Sequence, residues 1–166
     1  VFPVAGPRFA FPDGLPDARL LSSAPAFLDP RWVRNGMPSL HAAWSFLILL
    51  NARGLPRWFR CGTGVYFAGT LLATLVTGQH YLIDLIVALP FAVATQALAL
   101  QLFGTRGMGE VLGFGAAITA GWLFLLTRHV ALLLDGHGLT AIAMMATVGM
   151  TILATRRLAS RQPSPT

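Results

Sequence analysis

YLIDLIVALPFAVATQALALQLFGT, residues 81–105, runs for 25 residues with a single charge, Asp84, near its start. About 20 apolar residues in a helix suffice to cross the hydrocarbon core of a bilayer. The stretch therefore reads as a membrane span, with Pro90 as its expected kink. A carboxylate at membrane depth is costly, which makes Asp84 a functional candidate by default.

The neighbouring sequence repeats the pattern. Residues 61–79 carry no charge, and further apolar runs cover 110–134 and 138–155. A shorter run, 39–52, ends at Asn51, Arg53 and Gly54. The fold expected is all-α, a multi-spanning transmembrane helical bundle of about five spans. Composition agrees: 55% of residues are hydrophobic and only 11% charged, against about 25% charged in an ordinary soluble domain. A soluble fold of this size would lack the polar residues to cover its surface.

The first 36 residues differ. Prolines at positions 3, 7, 12, 16, 25 and 30 rule out a long helix. Aromatic residues spread among them suit the headgroup zone. The chain thus divides into a proline-rich extracytoplasmic or interfacial segment (1–36), a transmembrane core (37–105), two further helices (106–157) and a cytoplasmic tail (158–166).

All 12 basic residues are arginine, and the formal charge is +6. They lie scattered at the ends of apolar runs, which suits loops and membrane lipids and argues against nucleic acid. With residue 166 inside, seven arginines fall on the inner side (53, 57, 60, 106, 156, 157, 161) and five outside (8, 19, 31, 34, 128). Leaving out the long first segment, the ratio is seven to one, as the positive-inside rule requires. An integral protein of a plasma or inner membrane follows. Residue 1 then lies outside with no signal segment, so either the first span inserts with its N-terminus out or helices lie upstream, and the second is the expectation preferred. Cys61 is the one cysteine, which excludes an internal disulfide.

Two motifs carry chemistry. In Gly36-Met37-Pro38-Ser39-Leu40-His41, Pro38 suits the first turn of a helix, whose free N–H groups favour an anion. Ser39 adds a hydroxyl and His41 a proton that titrates near neutrality. In Thr77-Gly78-Gln79-His80-Tyr81-Leu82-Ile83-Asp84, the spacing of four puts His80 and Asp84 on one helical face. A carboxylate beside an imidazole fixes its tautomer and stabilises its cation. Two spans that both start outside bring His41 and His80 to one membrane level.

Together these motifs resemble the second and third signatures of the type 2 phosphatidic acid phosphatase superfamily, in a form similar to its inositol phosphorylceramide synthase-like branch. The resemblance covers about residues 30–100. It implies a helical membrane enzyme acting on a lipid phosphate at the extracytoplasmic face, as a phosphatase or a phosphotransferase. By that likeness His80 attacks phosphorus and becomes a phosphohistidine, Asp84 supports it, and His41 serves as acid and then base. Ser39 and nearby N–H groups would hold the phosphate, with no metal and no other cofactor. Two departures stand out: Thr74 occupies the position of the family's arginine, six residues before His80, and the first signature is missing. Arg8, Arg31 and Arg34 are the nearest replacements for that positive charge. A non-enzymatic membrane protein or transporter is the reading from another class, favoured by the missing arginines.

Elsewhere, Gly113, Ala117 and Gly121 recur every four residues, a pattern suited to close helix packing. Trp44 reads equally as a pocket wall or an interfacial anchor.

Overall fold

The computed structural model describes residues 2–5, 34–129, 133 and 136–161. Among them are five α-helices: α1 (Leu40–Asn51), α2 (Arg57–Val76), α3 (Leu82–Leu102), α4 (Gly109–Arg128) and α5 (His137–Arg161). Helices α2 to α5 are long and apolar enough to cross a membrane. The protein is a helical integral membrane protein. The fifth expected span falls short: α1 has 12 residues, about 18 Å at 1.5 Å per residue, and a 3-10 turn, Ala52–Gly54, follows it.

Helix α3 is the axis of the bundle. It packs on α1, α4 and α5, and 56% of its apolar window is buried, against 11% for α2. That contrast assigns α3 to the protein interior and most of α2 to lipid. Alanines make the inner contacts possible: Ala42 and Ala43 of α1 meet Leu85, Ala88 and Ala92 of α3. Small side chains let helix backbones approach where lipid supplies no hydrophobic drive. Further along, the amides of Asn51 and Gln96 exchange hydrogen bonds of 2.9 and 3.1 Å, fixing α1 against α3 in depth. The helix continues through Pro90 to Leu102.

The small-residue stripe on α4 was misassigned. Gly113, Ala117 and Gly121 are exposed, and the buried face is Val111, Gly115, Thr119 and Trp122. The close approach is at Gly115, where an added Cβ would lie 2.7 Å from the Pro90 carbonyl oxygen. Hydropathy does not separate a lipid-facing stripe from a protein-facing one, since both are apolar. Across the next interface, the buried Trp122 Nε1 donates to Thr147 Oγ1 of α5 at 2.9 Å.

Helix bounds follow the apolar runs closely, except that α4 ends at Arg128, before residue 134, and α5 reaches Arg161, past residue 155. The segment before residue 37 is not wholly irregular. Strand β1 (Phe2–Ala5) pairs antiparallel with β2 (Arg34–Met37), Phe2 opposite Met37 and Ala5 opposite Arg34. The strand pair delivers the chain directly into the first motif.

Candidate active site

The site is built from two helix starts and one helix end. Ser39 is the N-cap of α1, with its Oγ accepting from the Ala42 N–H at 3.4 Å. Serine suits this place because its oxygen satisfies an amide that the helix cannot. Pro38 therefore precedes the cap and does not occupy the first turn. The amides of Leu40 and His41, in that turn, have no carbonyl within the helix to bond. They form the positive end of the α1 dipole. Ser39 is buried, whereas His41 is exposed.

His80 is positioned by a different device. Helix α2 ends with Gly78 at φ 64°, a left-handed conformation that glycine adopts without a Cβ penalty. Gly78 N–H donates to the Leu75 carbonyl at 3.0 Å and Gln79 N–H to that of Thr74 at 3.1 Å. This pair of bonds is a Schellman motif. The His80 N–H also reaches the Thr74 carbonyl, at 3.4 Å. Helix α3 starts only at Leu82, with Tyr81 as its N-cap. His80 thus lies before the helix, and the shared helical face expected for His80 and Asp84 does not exist.

They meet all the same. Asp84 is the third residue of α3, and its Oδ2 accepts from the Tyr81 N–H at 3.1 Å. The same oxygen lies 3.4 Å from His80 Nδ1, at the long end of hydrogen-bonding range. A negative charge in the first turn is favoured by the helix dipole, and Asp84 is the acidic residue of that turn. Both Asp84 and His80 are buried, at 3% and 4% exposure. With Nδ1 turned to the carboxylate, Nε2 is the nitrogen left for chemistry.

The two motifs converge. The rings of His41 and His80 are 6.0 Å apart between centroids and inclined at 63°. One phosphate group can touch both. The backbones are tied as well: Ser39 N–H donates to the Asp84 carbonyl at 3.3 Å. Because α2 runs back between α1 and α3, both histidines come to one end of the bundle.

The remaining expected residues divide. Arg34 lies in β2, opposite Ala5, five residues before Ser39. Arg8 and Arg31 lie outside the described residues. Thr74 is buried, with its hydroxyl donating to the carbonyls of Thr70 and Leu71 at 3.0 Å each. Its backbone carbonyl accepts from the Gln79 and His80 N–H groups of the turn, at the position where the resemblance led to the expectation of an arginine. Trp44 is 65% exposed, as an interfacial anchor would be.

Tyr81 was missed by sequence reasoning. Its amide holds Asp84, and its phenol is pushed up from the ordinary value by burial and then by the Asp84 charge. An N-cap is usually recognised as Ser, Thr, Asp or Asn, so a tyrosine there gives no signal. The third-residue aspartate was the legible half.

A family model described as the PAP2 superfamily matches residues 1–98. The match contains both motifs and the proline-rich approach, and α4 and α5 lie beyond it. No curated protein and no solved structure matches the chain.

Proposed function

The chain belongs to the PAP2 superfamily, and from that membership we propose that it is a metal-independent lipid-phosphate phosphatase or phosphotransferase working through a phosphohistidine at the extracytoplasmic face. A phosphatase-type activity follows from the family. What supports the finer reading is one observation: the His41 and His80 rings stand 6.0 Å apart, with Asp84 on Nδ1 of His80 alone.

The steps follow from that asymmetry. The Nε2 lone pair of His80 attacks phosphorus and the ester P–O bond breaks. His41, exposed and able to exchange protons with water, protonates the leaving oxygen. Asp84 stabilises the cationic ring of the phosphohistidine. His41, now neutral, takes a proton from water or an alcohol, whose oxygen attacks phosphorus as the P–N bond breaks. Positioned acid–base groups of this kind typically contribute about 10²–10⁴-fold. The α1 amides and Ser39 hold phosphate oxygens, and Arg8, Arg31 and Arg34 supply the charge that phosphoryl transfer requires.

Water as acceptor makes the protein a phosphatase. An alcohol makes it a transferase, and the Met37–His41 and Thr77–Asp84 sequences favour an inositol-phosphoryl (sphingo)lipid transferase as the second reading. The test is phosphate release from a short-chain phosphatidic acid in detergent with a chelator present, repeated with inositol-type and sphingolipid acceptors. Release in chelator supports the proposal. Activity lost in chelator and restored by magnesium contradicts the metal-independent mechanism. No turnover of any lipid phosphate under either condition points to a non-enzymatic membrane protein.

A further inference from the structure

The end of the bundle away from the histidines holds a second concentration of charge. A groove of about 460 Å³ opens where α1 finishes and α2 begins, against α5. Arg53, Arg57 and Arg60 line it with Thr155, over an apolar floor that includes Leu49 and Leu50. From Cys61, the last α2 residue lining it, the helix runs on to Val76 before the His80 turn, about 23 Å at 1.5 Å per residue.

Neither described carboxylate neutralises these arginines. Asp84 is bound at the histidine end, and Glu110 pairs with Arg161 at 3.1 Å. Arg57 and Arg60 stand three apart in the opening turns of α2, on one face. A helix N-terminus disfavours cations, so two of them there leave a local excess of positive potential. Arg53 Nη1 donates to the Thr155 carbonyl at 3.2 Å, which anchors one guanidinium and leaves its other donors to the groove. Burial, and then the charge of Arg60, push the Arg53 guanidinium below its ordinary value.

We propose that this groove binds a phosphate anion, carried on a lipid headgroup or free in solution, at the membrane face opposite the histidines. Three guanidiniums supply the donors that phosphate oxygens accept. The apolar side chains of Leu49 and Leu50 in the groove would meet the acyl chains of a headgroup-bearing molecule.

Cys61 also lines the groove, and as the one cysteine of the chain it reports on occupancy. The experiment follows its alkylation by neutral N-ethylmaleimide in the full chain. One arm uses nanodiscs of phosphatidylcholine with or without phosphatidylglycerol, whose headgroup carries a net negative charge. The other uses detergent with or without inorganic phosphate. Occupancy at about ten times the dissociation constant should slow alkylation roughly tenfold. Protection by the lipid alone assigns a headgroup site; protection by inorganic phosphate as well assigns a site for the free anion.

Arg57→Gln with Arg60→Gln should abolish the protection. Arg106→Gln, on the same side but outside the groove lining, should retain it and so controls for surface potential. Both arginines of the double variant are exposed, and circular dichroism checks its helicity. Arg60→Gln alone serves if the double variant fails to fold. Absence of protection in both arms, or protection that persists without the arginines, would overturn the proposal.

Discussion

The two ends of the bundle handle charge in opposite ways. At the histidine end, Asp84 and His80 are buried, and the aspartate is held by the cap of its own helix. At the arginine end, Arg57 and Arg60 stand exposed in an open groove, with no described carboxylate to meet them. One arrangement spends its polar bonds on fixing a geometry. The other leaves donors unspent. A site for making and breaking bonds needs the first, and a site for holding an anion tolerates the second. The same helices, α1 and α2, contribute to both.

That contrast is broken most severely by removing the fixed histidine. His80→Ala should lower turnover by about 10⁶-fold, the scale seen when a catalytic nucleophile is deleted; initial rates of phosphate release check it. Asp84→Asn should keep the fold and cost about 10⁴-fold in kcat, as the comparable change does in a serine-protease triad. A loss in KM alone would assign Asp84 to binding. His41→Ala should slow turnover by about 10²–10⁴-fold, less so when the leaving group is a good one such as p-nitrophenol. A series of leaving groups measures that difference, and an equal loss for all of them would remove His41 from the acid's role.

A smaller effect separates the helix faces. Gly115→Ala forces a Cβ against the Pro90 carbonyl and should destabilise the bundle by about 1–3 kcal/mol, the usual cost of overpacking. Gly113→Ala meets open space and should change stability by less than about 1 kcal/mol, in the stabilising direction, since alanine favours helix over glycine. Thermal unfolding of the two variants in one detergent gives the comparison. Equal destabilisation would mean that α4 uses both faces against protein.

These faces also mark how far the sequence was legible. Four of the spans could be read to within a few residues because apolar length is set by bilayer thickness. Helix α1 could be seen as short from its 14-residue run, 39–52, yet its dependence on Ala42 and Ala43 against Ala88 could not. The α4 stripe was read on the wrong face because Gly113 and Gly115 are equally apolar, and only the position of Pro90 distinguishes them.

In the site, the spacing of His80 and Asp84 led to a real contact by the wrong route. A cap geometry brings them together, and a cap depends on where the helix begins. The Ser39–Asp84 backbone bond joins residues 45 apart in the sequence, which no local pattern encodes. Likewise, Arg53, Arg57 and Arg60 could be read as an inner-side charge bias, while their gathering around Thr155 required α5 to fold back on them.

In the proposed mechanism His80 carries the phosphoryl group while His41 moves protons. The direct measurement is to quench turnover of a phosphorus-labelled lipid phosphate with base, which preserves phosphohistidine, and to map the labelled peptide. The expected result is label on His80, lost in His80→Ala and retained in part in His41→Ala with a good leaving group. Label on His41, or an adduct that survives in His80→Ala, would contradict it.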